Sequence, residues 1–468
     1  MDVARLIIDV LPDEVLLEIF ACYVELEEYR SRSAWHTLAR VCRRWRGIAF
    51  GSPHRLNLRI FCSERTPVGL RKKLDFWPPF PIFLAVDFYR KLGEDTILAT
   101  LEHHDRVCHI EIWNISSSLW EKVLPLMQKP YPMLTDLCLR HTDEMVSVVP
   151  DLFLGGSAPR LRKLKLEGIS VPGLPKLLLS TTDLIHLELL YIPDSGYIAP
   201  EEMVTCISTL TGLESLHIDF KSPRRRPEWG RQRTESSSTR ALLPSLTYFA
   251  FGGVSEYLED IVDRINAPLL DRLRIRFFHQ TVFDTPRLAQ FIRHAPKLKT
   301  CNEARMYLGS WRTYVKLFSR SKTTTNLNAY LLLEDWCGPP DFQLSPLVQL
   351  CTSSIPQALI SMVECLTIVG SNLSTPPEQD DIDPSLWWEL LQPFTAVRDL
   401  YLCPEITPRI ALFLQELVGE SVIELLPILQ NIFWKELWPS GLLPEGIEQF
   451  VVARQLASHP VSVSHRDT

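Results

Sequence analysis

The sequence has no CxxC pair, although its eleven cysteines run from Cys22 to Cys403. An odd count without paired spacing fits reduced, mostly buried thiols in a cytoplasmic and/or nuclear protein. There is no GxxxxGK phosphate loop, no GxSxG elbow and no HExxH metal helix, so the local signatures of an enzyme are missing. No basic excess is present either: 49 Lys and Arg stand against 56 Asp and Glu, a net charge of -7 with a pI near 6.0. That balance argues against a general nucleic-acid binder. Residues 1–10 carry Asp2 and Asp9 and have no basic flank before an uninterrupted apolar core, so a secretory signal is not expected. The most apolar later stretch, 410–434, is broken by Glu416, Glu420 and Glu424, so no bilayer span is expected.

What remains is ordinary for a folded chain, with 46% hydrophobic and 22% charged residues. At 468 residues it is too long for one core and implies several domains or a repeat array. Near the start, LPDEVLLEIF at 11–20 places Pro12 at a first helical position, with Asp13 and Glu14 at the positive end of the helix dipole. Val15, Leu16, Ile19, Phe20 and Tyr23 follow at helical spacing. A polar run at 25–33 interrupts the pattern. Trp35, Leu38, Val41, Cys42, Trp45 and Ile48 then resume it, until Gly51, Ser52 and Pro53 end it. Two amphipathic helices this short cannot bury both apolar faces unaided, so the rest of the chain or a partner must cover them.

These residues resemble an F-box. Leu11-Pro12, the Leu16/Ile19/Phe20 face and Val41-Cys42-Arg43-Arg44-Trp45 carry the likeness, over roughly residues 10 to 60. The resemblance implies docking on a Skp-type adaptor and, through it, a cullin ubiquitin ligase. Leu11, Pro12, Leu16, Ile19, Phe20, Leu38, Val41, Cys42 and Trp45 would then hold or form the docking surface, some of them from within. The segment 25–34 is longer and more charged than the compact family pattern. The alternative is a hairpin that merely caps the segment after it.

From residue 107 a phrase of the form LxxLxL recurs: VCHIEI (107–112), LTDLCL (134–139), LRKLKL (161–166), LIHLEL (184–189), LESLHI (213–218), LTYFAF (246–251), LDRLRI (270–275), VECLTI (363–368) and VRDLYL (397–402). Weaker copies sit at Leu298 to Cys301 and Leu327 to Leu331. A spacing near 27 residues suits irregular leucine-rich repeats. The last two apolar positions of each phrase alternate on a short strand and point into a common core, while the intervening positions face outward. Stacked strands predict a parallel sheet on the concave side of a solenoid, with helices or loops returning on the convex side. Pro132, Pro159, Pro244, Pro268 and Pro296 precede the phrase and suit the end of a returning helix. The asparagine that ladders regular repeats is missing.

The expected fold class is therefore α/β, an N-terminal helical hairpin followed by an irregular repeat solenoid. Its expected parts are adaptor-binding helices at 1–53, a connector with room for a first strand at 54–106, the solenoid at 107–440, a capping helix at 441–458 and a loose tail at 459–468. Within the connector, Leu56, Leu58 and Ile60 alternate like a strand, and residues 83–87 could form a degenerate first repeat strand. In the capping helix Ile447, Phe450, Val451 and Arg454 share a side. His103, His104, Asp105, Cys108 and His109 are metal-ligand types, but their spacing matches no standard site. No metal or cofactor is called for. The basic run 221–233 reads as an exposed loop, with nuclear import, a nucleic-acid contact or contact to an acidic partner as its functional readings, set against a solvated insertion without a role. The acidic run 378–383 reads as another loop. Trp387, Trp388, Trp434 and Trp438 read as core.

Such a chain resembles the fungal-type F-box/leucine-rich-repeat family, whose members are non-catalytic receptors for an unknown protein substrate. Outward positions Thr135, Asp136, Arg162, Lys163, Glu214, Ser215, Arg398 and Asp399 are the target-contact candidates. A repeat scaffold outside any ligase is the other reading.

Overall fold

The computed structural model describes residues 11–28, 35–53, 55–62, 66–86, 92–141, 147–170, 172–221, 240–278, 283–309, 311–319, 329–336, 344–371, 383–434 and 443–465. The chain forms two compact units, residues 1–184 and 185–468.

Each repeat is built around its first apolar residue. In all nine strong phrases the three apolar positions are at most 3% exposed, so the phrase marks the core face of a strand. The anchor's N–H closes a β-turn on the carbonyl three residues earlier, as in Leu134 to Tyr131, Leu161 to Ala158, Leu246 to Leu243 and Leu270 to Ala267. Pro132, Pro159, Pro244 and Pro268 each occupy the second position of such a turn, where a fixed φ near -65° is what the turn needs. These prolines therefore shape the turn into the strand rather than end a helix. Pro296 does both, opening the short 3-10 helix Pro296–Thr300 while Leu298 bonds back to Ala295.

Neighbouring repeats are joined before their strands formally begin. The carbonyl one residue past an anchor accepts two N–H groups of the next repeat: Thr135 from Arg162 and Lys163, Glu214 from Thr247 and Tyr248, Glu364 from Arg398 and Asp399. In the first unit this gives parallel strands in the order Ile60–Phe61, Ile82–Val86, Val107–Ile115, Asp136–His141 and Lys163–Glu167. Ile82–Val86 is a repeat strand, and Ile60–Phe61 precedes it. Leu56 and Leu58 are buried outside any strand. The returning segments form helices at Pro67–Phe76, Glu94–Leu101, Ser117–Leu126 and Leu174–Leu179. Thr66 and Ser116 cap two of them by accepting from the N–H of Gly69 at 3.2 Å and of Leu119 at 3.3 Å.

The second unit departs from simple stacking. Its strand order is His186–Ile192, Ser215–Phe220, Tyr248–Gly253, Arg272–Phe278, Tyr330–Trp336, Arg312–Phe318, Glu303–Gly309, Cys365–Ser371, Asp399–Leu402, Asn431–Trp434 and Ser462–His465. Arg312–Phe318 is antiparallel to both of its neighbours, and all other pairings are parallel. The chain thus lays down Glu303–Gly309, turns back, and places Tyr330–Trp336 against the earlier repeat. The sheet is parallel as expected, with this antiparallel insertion as its exception among the described strands. The insertion also shifts the two weak copies. By register, Ala304 and Met306 match Leu366 and Ile368, while Leu331 and Leu333 match Leu273 and Ile275. Leu327 lies outside the described residues.

The C-terminal end differs as well. The helix Glu445–Leu456 forms, but the tail expected to be loose adds the strand Ser462–His465, parallel to Asn431–Trp434. The helix is therefore the returning segment of another repeat rather than a terminal cap. Arg454 on this helix is 1% exposed and donates to the carbonyls of Val422 at 3.1 Å and Leu425 at 3.3 Å. It supplies partners to the buried end of Ser421–Glu424. Trp387 and Trp434 are buried and Trp388 is half-buried, as core residues should be. Trp438, residues 222–239 with nearly all of the basic run, and residues 378–382 of the acidic run lie outside the described residues.

Gly446 lets the helix Glu445–Leu456 approach Thr407–Gln415. A Cβ there would overlap the carbonyl of Ala411. Alanine's helix propensity gain of about 1 kcal/mol over glycine is set against an overpacking cost of roughly 1–3 kcal/mol. Gly446→Ala should lower stability in urea unfolding, and an unchanged or raised midpoint would show that the two helices can separate freely.

Candidate functional site

The N-terminal residues form three helices rather than two: α1 (Asp13–Glu28), α2 (Trp35–Val41) and α3 (Arg43–Gly51). The expected second helix breaks at Cys42, which is extended at φ -155°, ψ 173°. Its Sγ accepts from Trp45 N at 3.4 Å, so this cysteine caps α3. The polar residues 25–28 belong to α1, and residues 29–34 lie outside the described set.

The covering that these helices needed comes partly from the connector. Trp35 is buried, donates its indole N–H to the carbonyl of Arg59 at 3.1 Å, and packs edge-on against Trp77 at 5.0 Å and Phe80 at 5.5 Å. Phe20 meets Trp45 at 4.7 Å. Both Nε and Nη2 of Arg44 reach Asp13 Oδ1, at 3.1 and 2.6 Å, and Nη2 also donates to Leu11 O. Arg46 Nε donates to Ala39 O at 2.8 Å. The basic residues therefore lock α3 onto the start of α1 and onto α2.

The adaptor-contact candidates separate by burial. Leu16, Phe20 and Leu38 are buried and hold the hairpin together. Leu11, Cys42 and Trp45 are half-buried, and Pro12, Ile19 and Val41 are exposed. The exposed set is larger than the sequence reading gave. Val15, Ile19, Cys22 and Leu26 fall at helical spacing along one outer side of α1, with Val15 42%, Ile19 43% and Leu26 76% exposed. Val15 was legible as part of an apolar face but not as its outer edge, because the face is wider than one core needs.

The target-contact candidates lie at strand entries. Arg162, Glu214 and Arg398 are exposed, while Thr135, Asp136, Lys163, Ser215 and Asp399 are half-buried. Several also tie repeats together. The Thr135 hydroxyl donates to Asp136 Oδ2 at 2.6 Å, with Cys108 O 3.0 Å from the same oxygen, and Asp399 accepts from Asn431 Nδ2 at 2.8 Å. In the first unit Asp136 lies beside Lys163. In the second, Ser215 and Asp399 stand seven strands apart, about 34 Å at ~4.8 Å per strand. They are therefore not one contact site. Between them lies a surface the sequence reading missed, on Tyr248, Arg272, Arg274, Tyr330, Lys316, Tyr314, Arg305 and Tyr307, together with the exposed Trp311 and Trp336.

The histidine-rich stretch does not converge. His104 Nδ1 faces Pro130 O at 2.8 Å and Cys108 Sγ donates to Ile82 O at 3.3 Å. Among the described residues no group of three or more His, Cys, Asp or Glu is placed to hold a metal ion. His109 instead stacks on Phe83 at 3.8 Å and lies 3.8 Å from Asp136 and 3.6 Å from Glu111.

Residues 8–59 match the family model described as F-box-like. No curated protein matches the chain. Among solved structures, the leucine-rich repeat-containing protein LegL7 from Legionella pneumophila matches with 11% identity and a TM-score of 0.25, covering 86% of this chain and 99% of that one. At that score the repeat architecture stands on strand register and anchor burial alone. The chain thus carries an F-box-like segment followed by leucine-rich-type repeats.

Burial disfavours the charged form of His109, but Asp136 and Glu111 outweigh it, so the imidazole titrates above its ordinary value. A raised folded-state pKa means that the contribution to stability is complete below the unfolded value of about 6.5 and is lost as pH rises through the folded value. Asp136 works in the opposite sense. Burial raises its pKa, but His109 and Thr135 lower it further, so its contribution is lost only as pH falls through its depressed folded value. Thermal melts from pH 6 to 8 should show wild-type stability declining more steeply than that of His109→Gln. Parallel slopes would mean that the pair is not coupled to folding.

Proposed function

We propose that the chain is the substrate-recognition subunit of a Skp–cullin–F-box type ubiquitin ligase, acting in the cytoplasm or nucleus. The observation that carries this reading is the match of residues 8–59 to the F-box-like model over a segment whose outer side leaves Val15, Ile19, Leu26 and Val41 exposed. Leu16, Phe20 and Leu38 already supply the internal core, so the outer residues are free to bury against the adaptor. The repeats bind a target protein, and tethering raises its effective concentration beside the ubiquitin-loading machinery. In this role the chain supplies position and leaves the transfer chemistry to other subunits. A repeat scaffold outside any ligase is the competing reading, in which the apolar outer side of α1 serves some other contact.

Co-purification of the full chain with a recombinant Skp-type adaptor tests the proposal. Val15→Glu/Ile19→Glu, at exposed positions, should leave the melting temperature nearly unchanged while weakening adaptor binding by about a hundredfold or more. Leu16→Ala should instead cost about 2–5 kcal/mol of stability through loss of the core. A folded wild-type chain that ignores the adaptor would leave the scaffold reading in its place.

A further inference from the structure

We infer that the outer face of the second unit's sheet, centred on Arg305 and Lys316, binds an acidic segment of the target protein. This deepens the receptor reading by giving the target's chemistry, and it rests on that reading only for the consequence of binding.

Across the five strands from Tyr248–Gly253 to Glu303–Gly309, the outward positions hold Arg272, Arg274, Arg276, Arg305, Arg312 and Lys316. Among the described residues they hold two carboxylates, Glu303 and Glu334. Acidic groups are used up on one side of this face. Glu334 is 2% exposed beneath Arg274 at 2.9 Å, and Asp219 of the adjoining strand is equally buried against Arg276. On the other side, Arg305, Lys316 and Arg312 make no ion pair with any described carboxylate. Glu303 is the nearest acid along the strand, and it stands opposite Phe318 rather than Lys316.

Arg305 and Lys316 are directly opposite one another, with Cβ atoms ~5 Å apart in such a pairing, an arrangement that is unfavourable for like charges. Burial and Arg305 together push the Lys316 ammonium below its ordinary pKa. The repulsion stays on the face because its neighbours are aromatic. The Lys316 ammonium sits over Tyr330 at 5.1 Å and Phe318 at 5.6 Å, and the Arg312 guanidinium over Tyr307 at 5.3 Å and Tyr314 at 5.8 Å. Tyr307 and Tyr314 are themselves stacked at 5.0 Å. Among the described residues, three cations without acidic partners and a floor of rings form a surface with positive charge and little to neutralise it.

The spacing favours a chain over a single anion. Arg312 lies four residues along the strand from Lys316, about 13 Å at ~3.3 Å per residue. Carboxylates must therefore be distributed along the occupant, with apolar side chains between them to meet the rings. Conflict between local charge and stability of this kind is what a binding site leaves behind in a fold.

The test is selection from a display library of random short peptides on the purified full chain, with Arg305→Glu/Lys316→Glu selected in parallel. Enriched peptides should be rich in Asp and Glu. Their affinity should fall with added salt and drop about tenfold or more in the variant, whose melting temperature and adaptor binding serve as controls for folding. Enrichment of peptides without acidic excess, equal binding by the variant, or no enrichment would overturn the assignment. Adaptor binding is read separately on the same preparation. Loss of the receptor reading therefore shows as absent adaptor binding with acidic peptides still bound, and loss of this inference shows as the reverse.

Discussion

In most repeats the carbonyl one residue past the anchor accepts two N–H groups from the neighbouring repeat, and in the Cys108 and Asp271 repeats it accepts one; the register of each unit's sheet depends on that contact. It is made by backbone atoms, so it imposes no side chain at the position. What it requires is that the chain arrive at the same height in every repeat. The β-turn closed by the anchor's N–H, with proline at its second position in several copies, sets that height. Once two repeats are so joined, the strict alternation of a strand sends the last two apolar residues of the phrase inward and leaves the residues between them outside. The anchor, the turn and the shared carbonyl form one device. Repeat length can therefore drift without loss of order, because length changes fall in the returning segments between strands.

The F-box-like helices solve their own covering problem differently. Their core closes on Trp35, Phe20 and Leu38, with Trp77 and Phe80 brought up from the connector. The connector is thus structural support for the helices as much as a link to the repeats. The division between α2 and α3 at Cys42 follows from the same demand. An extended residue there re-aims α3 so that Arg44 can reach Asp13 and Trp45 can reach Phe20. An unbroken helix could not place both contacts at once.

How much of this could be read from sequence depends on whether the signal was local. The nine strong phrases were legible because inward residues at fixed offsets repeat regardless of what lies between them, and every one of their anchors proved buried. The antiparallel insertion was not legible. Arg312–Phe318 alternates apolar and polar residues like any strand, and direction is set by pairing partners distant in sequence. Asn431–Trp434 is masked in the sequence by the apolar stretch around it, although Leu429 and Ile432 carry the phrase. Ser462–His465 is too short and polar to announce itself, and it exists because Asn431–Trp434 offers an edge. The hairpin's family likeness was legible, whereas the split at Cys42 and the exposed side of Val15 and Leu26 depend on three-dimensional packing. The basic surface around Arg305 and Lys316 was hidden because its residues come from segments whose strand order reverses the order of the chain.

The outer face also shows where freedom from stacking ends. Outward pairs such as Arg274 with Glu334 and Asn431 with Asp399 join adjacent strands, so a change in one repeat's outer residues is felt chiefly by its neighbour. Asp219 and Arg276 are an exception, since they pair across an intervening strand, above Gly252. A Cβ at Gly252 would occupy the place of the Asp219 carboxylate, so the glycine is what permits the pair. Burial raises the pKa of Asp219, while Arg276 pulls it back only in part, and a buried carboxylate whose partner is removed is strongly destabilising. The three strands at that point are consequently committed to one another through their outer side chains as well as through their backbones. Side-chain variation on this surface is then least constrained on the far side of the meander, where Arg305, Lys316 and Arg312 lack a described carboxylate to protect.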